Sequence, residues 1–133
     1  MFPATHDAYL AACHRAGQTR PTPLLLRYGP GDYNCLHQDL YGPLAFPFQA
    51  IVLLSDTGTD FTGGEFVLVE QRPQAQARAE VVALTQGEAV IFPVNRRVTF
   101  RDGAARRTVM RHGVSRVHHG LRHTLGIIFH DAA

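Results

Sequence analysis

The chain has 133 residues, 45% of them apolar, with 12 glycines and 8 prolines, which suits one turn-rich globular domain with a real core but not a second. No apolar run approaches a membrane span, the start Met1-Phe2-Pro3-Ala4-Thr5-His6-Asp7 lacks the pattern of a signal peptide, and Cys13 and Cys35 make neither a disulfide framework nor a CxxC site. These exclusions point to a reducing cytoplasm and no membrane partner, and the formal charge of +2 is too modest to name a partner by itself.

The first predicted element is a short amphipathic helix over 3–16, with Tyr9, Leu10 and Cys13 at helical spacing and Gly17 at its end. Pro21 and Pro23 then break the pattern, and short apolar runs separated by turn signals follow. Strands are expected at 24–28, 34–40 and 48–54, with a loop over 56–60. Gly63-Gly64 leads into a strand at 65–70, and the polar, Ala-rich stretch 71–79 reads as a connector or short helical turn. Further strands are expected at 81–84, 89–92, 98–101 (ended by Asp102-Gly103), 108–114 and 121–129. Seven to nine short strands after a single helix indicate an all-β sandwich or barrel, with 1–22 as helix and lead-in and 23–131 as the β body.

The charge is uneven along the chain. Residues 1–90 carry five arginines against nine acids, whereas 91–130 carry eight arginines against Asp102 alone, and there is no lysine. Genomic base composition explains an arginine bias; a basic face for an anionic substrate or partner is the sharper reading. The arginines of 96–116 would suit a phosphate backbone, although their linear order shows no stacking-aromatic pattern.

His37-Gln38-Asp39 is the first triplet with chemical content. On a strand, positions i and i+2 share a face, about 6.5–7 Å apart, so an imidazole and a carboxylate can converge on one ion. His112, on a predicted strand 75 residues later, supplies a third ligand. Two histidines and one carboxylate on one face of an octahedron leave positions open for other ligands, the arrangement of non-haem iron(II) oxygenases. In a chain with eight histidines a lone His-x-Asp is common by chance, so the surrounding sequence decides. The blander reading of the triplet is an exposed His and Asp at a strand end.

From His112 the sequence continues Gly113-Val114-Ser115-Arg116-Val117-His118-His119-Gly120-Leu121-Arg122-His123-Thr124. Here the chain resembles the iron(II)/2-oxoglutarate-dependent dioxygenase superfamily, above all prolyl 4-hydroxylase-like members and a bacterial group linked with nucleic-acid oxygenation. Tyr28, Gly31, Gly63-Gly64-Glu65-Phe66 and Gly87-Glu88-Ala89-Val90-Ile91-Phe92 also match, so the resemblance covers roughly 24–131. It implies a double-stranded β-helix, a jelly-roll barrel of cupin type, here preceded by the one short N-terminal helix read from the pattern above. It further implies that His37, Asp39 and His112 hold Fe(2+), and that Arg122, Thr124 and Tyr28 bind the far carboxylate of 2-oxoglutarate. A planar guanidinium fork suits that carboxylate independently of the family.

As the resemblance implies, O2 and 2-oxoglutarate are consumed, a substrate C–H bond is hydroxylated, and succinate and CO2 are released, with L-ascorbate a common requirement. The expected substrate is a prolyl, peptide or amino-acid group; the alternatives are repair or demethylation of damaged nucleic acid and a catalytically silent metal- or anion-binding barrel. A cupin-like metal enzyme without 2-oxoglutarate is a further reading. Family enzymes usually carry more N-terminal structure, so residues 1–133 read as a single dioxygenase core domain that is minimal or truncated at its N-terminus. Tyr33 is a candidate pocket residue, Cys35 a core thiol, and His6, His14, His118 and His119 surface residues, the last two in a turn.

Overall fold

A computed structural model describes residues 1–101 and 103–133; Asp102, the expected strand terminator, lies outside the described residues. The chain begins with the predicted helix, α1 (His6–Arg15), which is capped by Thr5: its side chain accepts from Ala8 N–H at 3.3 Å. Asp7 in the first turn and His14 and Arg15 in the last complement the helix dipole. Tyr9 and Cys13, one turn apart, are the buried side chains, and Tyr9 packs edge-on against Phe2 and Phe46.

Eleven strands follow among the described residues: β1 (Leu24–Tyr28), β2 (Asn34–His37), β3 (Phe48–Leu53), β4 (Phe61–Gly63), β5 (Phe66–Gln71), β6 (Arg78–Val82), β7 (Ala89–Pro93), β8 (Arg96–Arg101), β9 (Ala104–Val114), β10 (Val117–Gly120) and β11 (Arg122–Ile128). This exceeds the seven to nine expected. β4 and β10 account for the excess: they pair with each other across 54 or more residues of sequence, and neither short run shows a strand period alone. His118 and His119 therefore sit on β10, exposed as expected but not in a turn. The connector over 71–79 is a short turn between β5 and β6, and β6 starts at Arg78 because it pairs residue by residue with β5.

All ladders between these strands are antiparallel. One sheet runs β1-β11-β3-β7; a second runs β2-β9-β5-β6 and carries β8 on β9; β10-β4 forms a small third. The first strand pairs with the last, and β2 pairs with β9, the long-range crossovers of a jelly-roll. The fold is thus all-β and cupin-like, with one helix. Its core lies between the two larger sheets, where Leu53, Phe61, Phe66, Phe92, Val94, Met110 and Val117 are buried. On β11, residues 122, 124, 126 and 128 are buried and the intervening ones are half-buried, the period-2 signature of a strand with one face on the core.

Candidate metal centre and anion pocket

β2 ends at His37, so Asp39 is placed by the segment that leaves the strand and not by the pleat expected from the spacing. His37 pairs in register with His112 of β9, which brings two imidazoles from distant parts of the sequence side by side, with ring centroids 4.2 Å apart. Such an approach needs Gly113: a Cβ there would lie 2.6 Å from the Asn34 carbonyl oxygen. Asp39 closes the group. Its Oδ1 lies 3.3 Å from His37 Nε2 and its Oδ2 3.2 Å from His112 Nε2. One candidate ligand atom from each residue falls within 4.8 Å of the others.

The donor set fits a divalent transition metal. Ligands about 2.1 Å from one ion and at right angles are about 3 Å apart, close to the spacing seen here. The tautomer fits as well: His37 Nδ1 lies 2.7 Å from the Cys35 carbonyl oxygen and donates to it, leaving the Nε2 lone pair for a metal. The contact with Asp39 raises the pKa of His37, against the opposing effect of burial. Burial works against the charge of Asp39, but bonds from His112, His37, Tyr41 and Gln49 outweigh it and hold the carboxyl far below the usual range. Asp39 is therefore an anion at neutral pH.

Two further residues touch the centre that sequence reasoning did not single out. Tyr41 Oη donates to Asp39 Oδ1 at 2.7 Å, and Gln49 Nε2 donates to Asp39 Oδ2 at 2.8 Å and lies 3.1 Å from His112 Nε2. Gln49 was detectable, being a polar residue on the core-facing positions of the apolar strand β3. Tyr41 follows two residues after Asp39, but nothing in the sequence distinguishes it. Phe66 and Phe92 wall the His112 ring, with centroids 6.0 and 4.8 Å away.

A second feature lies on β11. Arg122 is 2% exposed, and no carboxylate among the described residues pairs with it. Its Nη1 donates to Thr124 Oγ1, its guanidinium carbon sits 5.5 Å from the Tyr28 ring centroid and 5.9 Å from that of Phe61, and its Nε has no partner. Burial lowers its pKa from the ordinary arginine value. The Gly-Gly turn makes room for it: Gly64 has φ +62, and a Cβ there would lie 2.9 Å from Arg122 Cδ. Register explains the grouping, because Tyr28 pairs with Arg122, and Leu26 with Thr124.

One cavity of about 310 Å³ joins the two features, with Tyr28, His37, Asp39, His112, Arg122 and Thr124 all in its lining. The six residues singled out from sequence are thus brought together. Other expectations do not hold. Tyr33 is exposed under the Arg116 guanidinium, 5.8 Å from its ring centroid, and lines no part of this cavity. Cys35 is exposed and not a core thiol, because its side chain turns away while its carbonyl is spent on His37.

A sequence model of the Oxygenase-NA family, described as an oxygenase catalysing oxidative methylation of damaged DNA, matches residues 1–132. The chain belongs to the Oxygenase-NA family. It is also similar to uncharacterised proteins of two Mycobacterium tuberculosis strains, CDC 1551 / Oshkosh and ATCC 25618 / H37Rv. Each is 50% identical over 132 residues, covering 99% of this chain and 57% of the relative. The chain therefore spans little more than half the length of these relatives. A crystal structure of an oxidoreductase of the 2OG-Fe(II) oxygenase family from Burkholderia pseudomallei shares its fold. The TM-score is 0.55 at 22% identity, over 86% of this chain and 49% of that one. No helix among the described residues is long and apolar enough to cross a membrane.

Proposed function

We propose that this chain is the catalytic core of an iron(II)- and 2-oxoglutarate-dependent oxygenase acting on nucleic acid, with residues 1–133 as one unit. His37, Asp39 and His112 would hold the iron, and Arg122 and Thr124 would take the far carboxylate of 2-oxoglutarate beneath the Tyr28 ring. The observation that carries this reading is the buried Arg122. A guanidinium withdrawn from water without a counter-charge is costly, and one that lines the same cavity as a two-histidine, one-carboxylate cluster is matched by a small dianion that reaches both. A silent barrel or a cosubstrate-free cupin has no use for that cation. The description of the family supports nucleic acid over the peptide alternative.

Bound iron with 2-oxoglutarate and dioxygen would supply the oxidising power that places oxygen on a substrate C–H bond. The chain's own residues hold and orient. The Cys35 carbonyl fixes the His37 ring, Gln49 and Tyr41 fix the Asp39 carboxylate, and Phe66 and Phe92 keep water from the His112 side. Arg122 and Thr124 set the depth at which a carboxylate stops in the cavity.

Anaerobic titration with iron(II) and then 2-oxoglutarate tests the proposal. A visible charge-transfer band of the chelate is expected, absent in His37→Ala and shifted to much higher 2-oxoglutarate concentration in Arg122→Ala. No band with wild-type protein at saturating iron and cosubstrate would falsify the assignment.

A further inference from the structure

Outside the metal cavity, the most strongly charged part of the molecule is the β8–β9 hairpin. β9 has 11 residues; its second half lies in the body and ends beside the metal cluster, while its first half pairs only with β8. Arg96, Arg97, Arg106 and Arg107 are exposed on this hairpin. Glu70 is the carboxylate nearest its root, and it is already shared: Arg97 reaches it at 2.8 Å and Arg72 at 3.1 Å. No carboxylate among the described residues pairs with Arg106 or Arg107. Between the hairpin and the β5–β6 turn lies a groove of about 690 Å³, to which Arg72, Thr99, Phe100, Arg106 and Arg107 contribute.

Phe100 is 78% exposed beside these arginines. Linear order hides the arrangement, since one aromatic among arginines is no pattern; strand pairing places Phe100 against Ala105, next to Thr99 against Arg106 and two residue pairs from Val98 against Arg107. The small alanine leaves the aromatic ring uncovered. Alternation along β9 puts Arg106, Thr108, Met110 and His112 on one face, where Thr108 and Met110 are buried between the groove and the metal cluster. The seven residues from Arg106 to His112 span about 20 Å, a length covered by roughly six stacked nucleotides. The hairpin root is also tied to the ligand segment: Gln38, between the two ligands His37 and Asp39, donates to Asn95 Oδ1 at 2.9 Å and to the Met110 carbonyl at 2.8 Å.

We propose that the β8–β9 hairpin and Arg72 grip the phosphate backbone of a single-stranded nucleic acid, with Phe100 as a stacking platform for one unpaired base. Guanidinium groups exposed to solvent supply the sequence-independent electrostatic part of such binding, and an exposed aromatic ring beside them supplies the stacking part. A duplex would leave Phe100 without a base face to meet. The choice of partner rests on the oxygenase reading above, but the contact itself needs no metal.

The test is fluorescence anisotropy of the full chain with a short labelled single-stranded oligodeoxynucleotide, in EDTA and over a range of salt. Wild-type affinity is expected to fall steeply with salt. Arg106→Ala/Arg107→Ala should lower it about tenfold or more and flatten the dependence of log K on log salt by about 1.4, the share of two phosphates on a single strand. Phe100→Ala should lower affinity about tenfold and leave that slope unchanged. Arg15→Ala, on the exposed end of α1, should change neither. The inference is overturned if wild type does not bind, if the double variant binds within about twofold of wild type at every salt, or if Arg15→Ala weakens binding equally. It is likewise overturned if poly-glutamate competes as well as the oligonucleotide, which would assign the face to an acidic protein. Melting curves check that each variant is folded. Because the measurement excludes iron, loss of the chelate band and loss of oligonucleotide binding report separately on the two proposals.

Discussion

At Arg122 a guanidinium leaves water without meeting a carboxylate among the described residues, and the fold accepts that cost. A structural role and a binding role for this residue make opposite demands on a volume-matched apolar replacement. Arg122→Met is expected to leave the melting temperature of the metal-free protein equal or higher, because an unpaired buried charge is removed, while 2-oxoglutarate affinity falls by about a hundredfold. Thermal unfolding and cosubstrate titration of the same variant check both halves. At Gly64, a side chain meets Arg122 Cδ and is also strained by the left-handed backbone. Gly64→Ala should cost about 2–4 kcal/mol of stability, read from denaturant unfolding. These residues were legible in sequence because their chemistry is scarce: a His-x-Asp triplet, a distant histidine and an arginine ten residues beyond it. Tyr41 and Gln49 were not named because a tyrosine or a glutamine announces no partner until the fold supplies Asp39.

Among the elements, β1 has the bounds its sequence predicts, since proline and glycine punctuate both ends of an apolar run. β2 is shorter than expected, and the difference matters: Asp39 reaches its partners only because the chain departs from the pleat after His37. β9 is longer than its apolar stretch suggests, because its first half is polar and held by a hairpin ladder whose signal is pairing and not periodicity. β4 and β10 were invisible for a related reason, each depending on a partner far away in sequence. Gln38 belongs to this scale, since it ties the ligand segment to the hairpin root through Asn95 and Met110. Gln38→Ala should weaken iron(II) binding about tenfold without removing a ligand, the usual size of such supporting effects. The iron concentration at half-maximal chelate band measures it.

For the molecule as a whole, the metal cluster joins strands β2 and β9 of one sheet, and the anion pocket belongs to β11 of the other. A ligand spanning the cavity therefore links both sheets, and binding adds to the free energy of unfolding. Iron(II) at a hundred times its dissociation constant contributes about 2.7 kcal/mol, which for a chain of this size raises the melting temperature by roughly 10 °C. Differential scanning calorimetry under anaerobic conditions should show that rise in wild type and none in His37→Ala. The overall class was readable from the strand count and turn chemistry. The pairing order was not, because contacts such as Leu24 with Gly126 connect opposite ends of the chain.

The lead-in segment is fastened to the far end of the sequence by polar clasps. Gln18 donates to the Asp131 carbonyl at 2.6 Å, Thr22 to that of His130 at 2.6 Å, and Arg20 bridges Ala132. His14 Nε2 lies 2.7 Å from Asp131 Oδ2. Residues 1–22 are consequently not an appendage that can be trimmed to simplify the protein. Deleting them strips the partners from the stretch that immediately continues β11, so fraying would start three residues beyond the strand and run back toward the guanidinium.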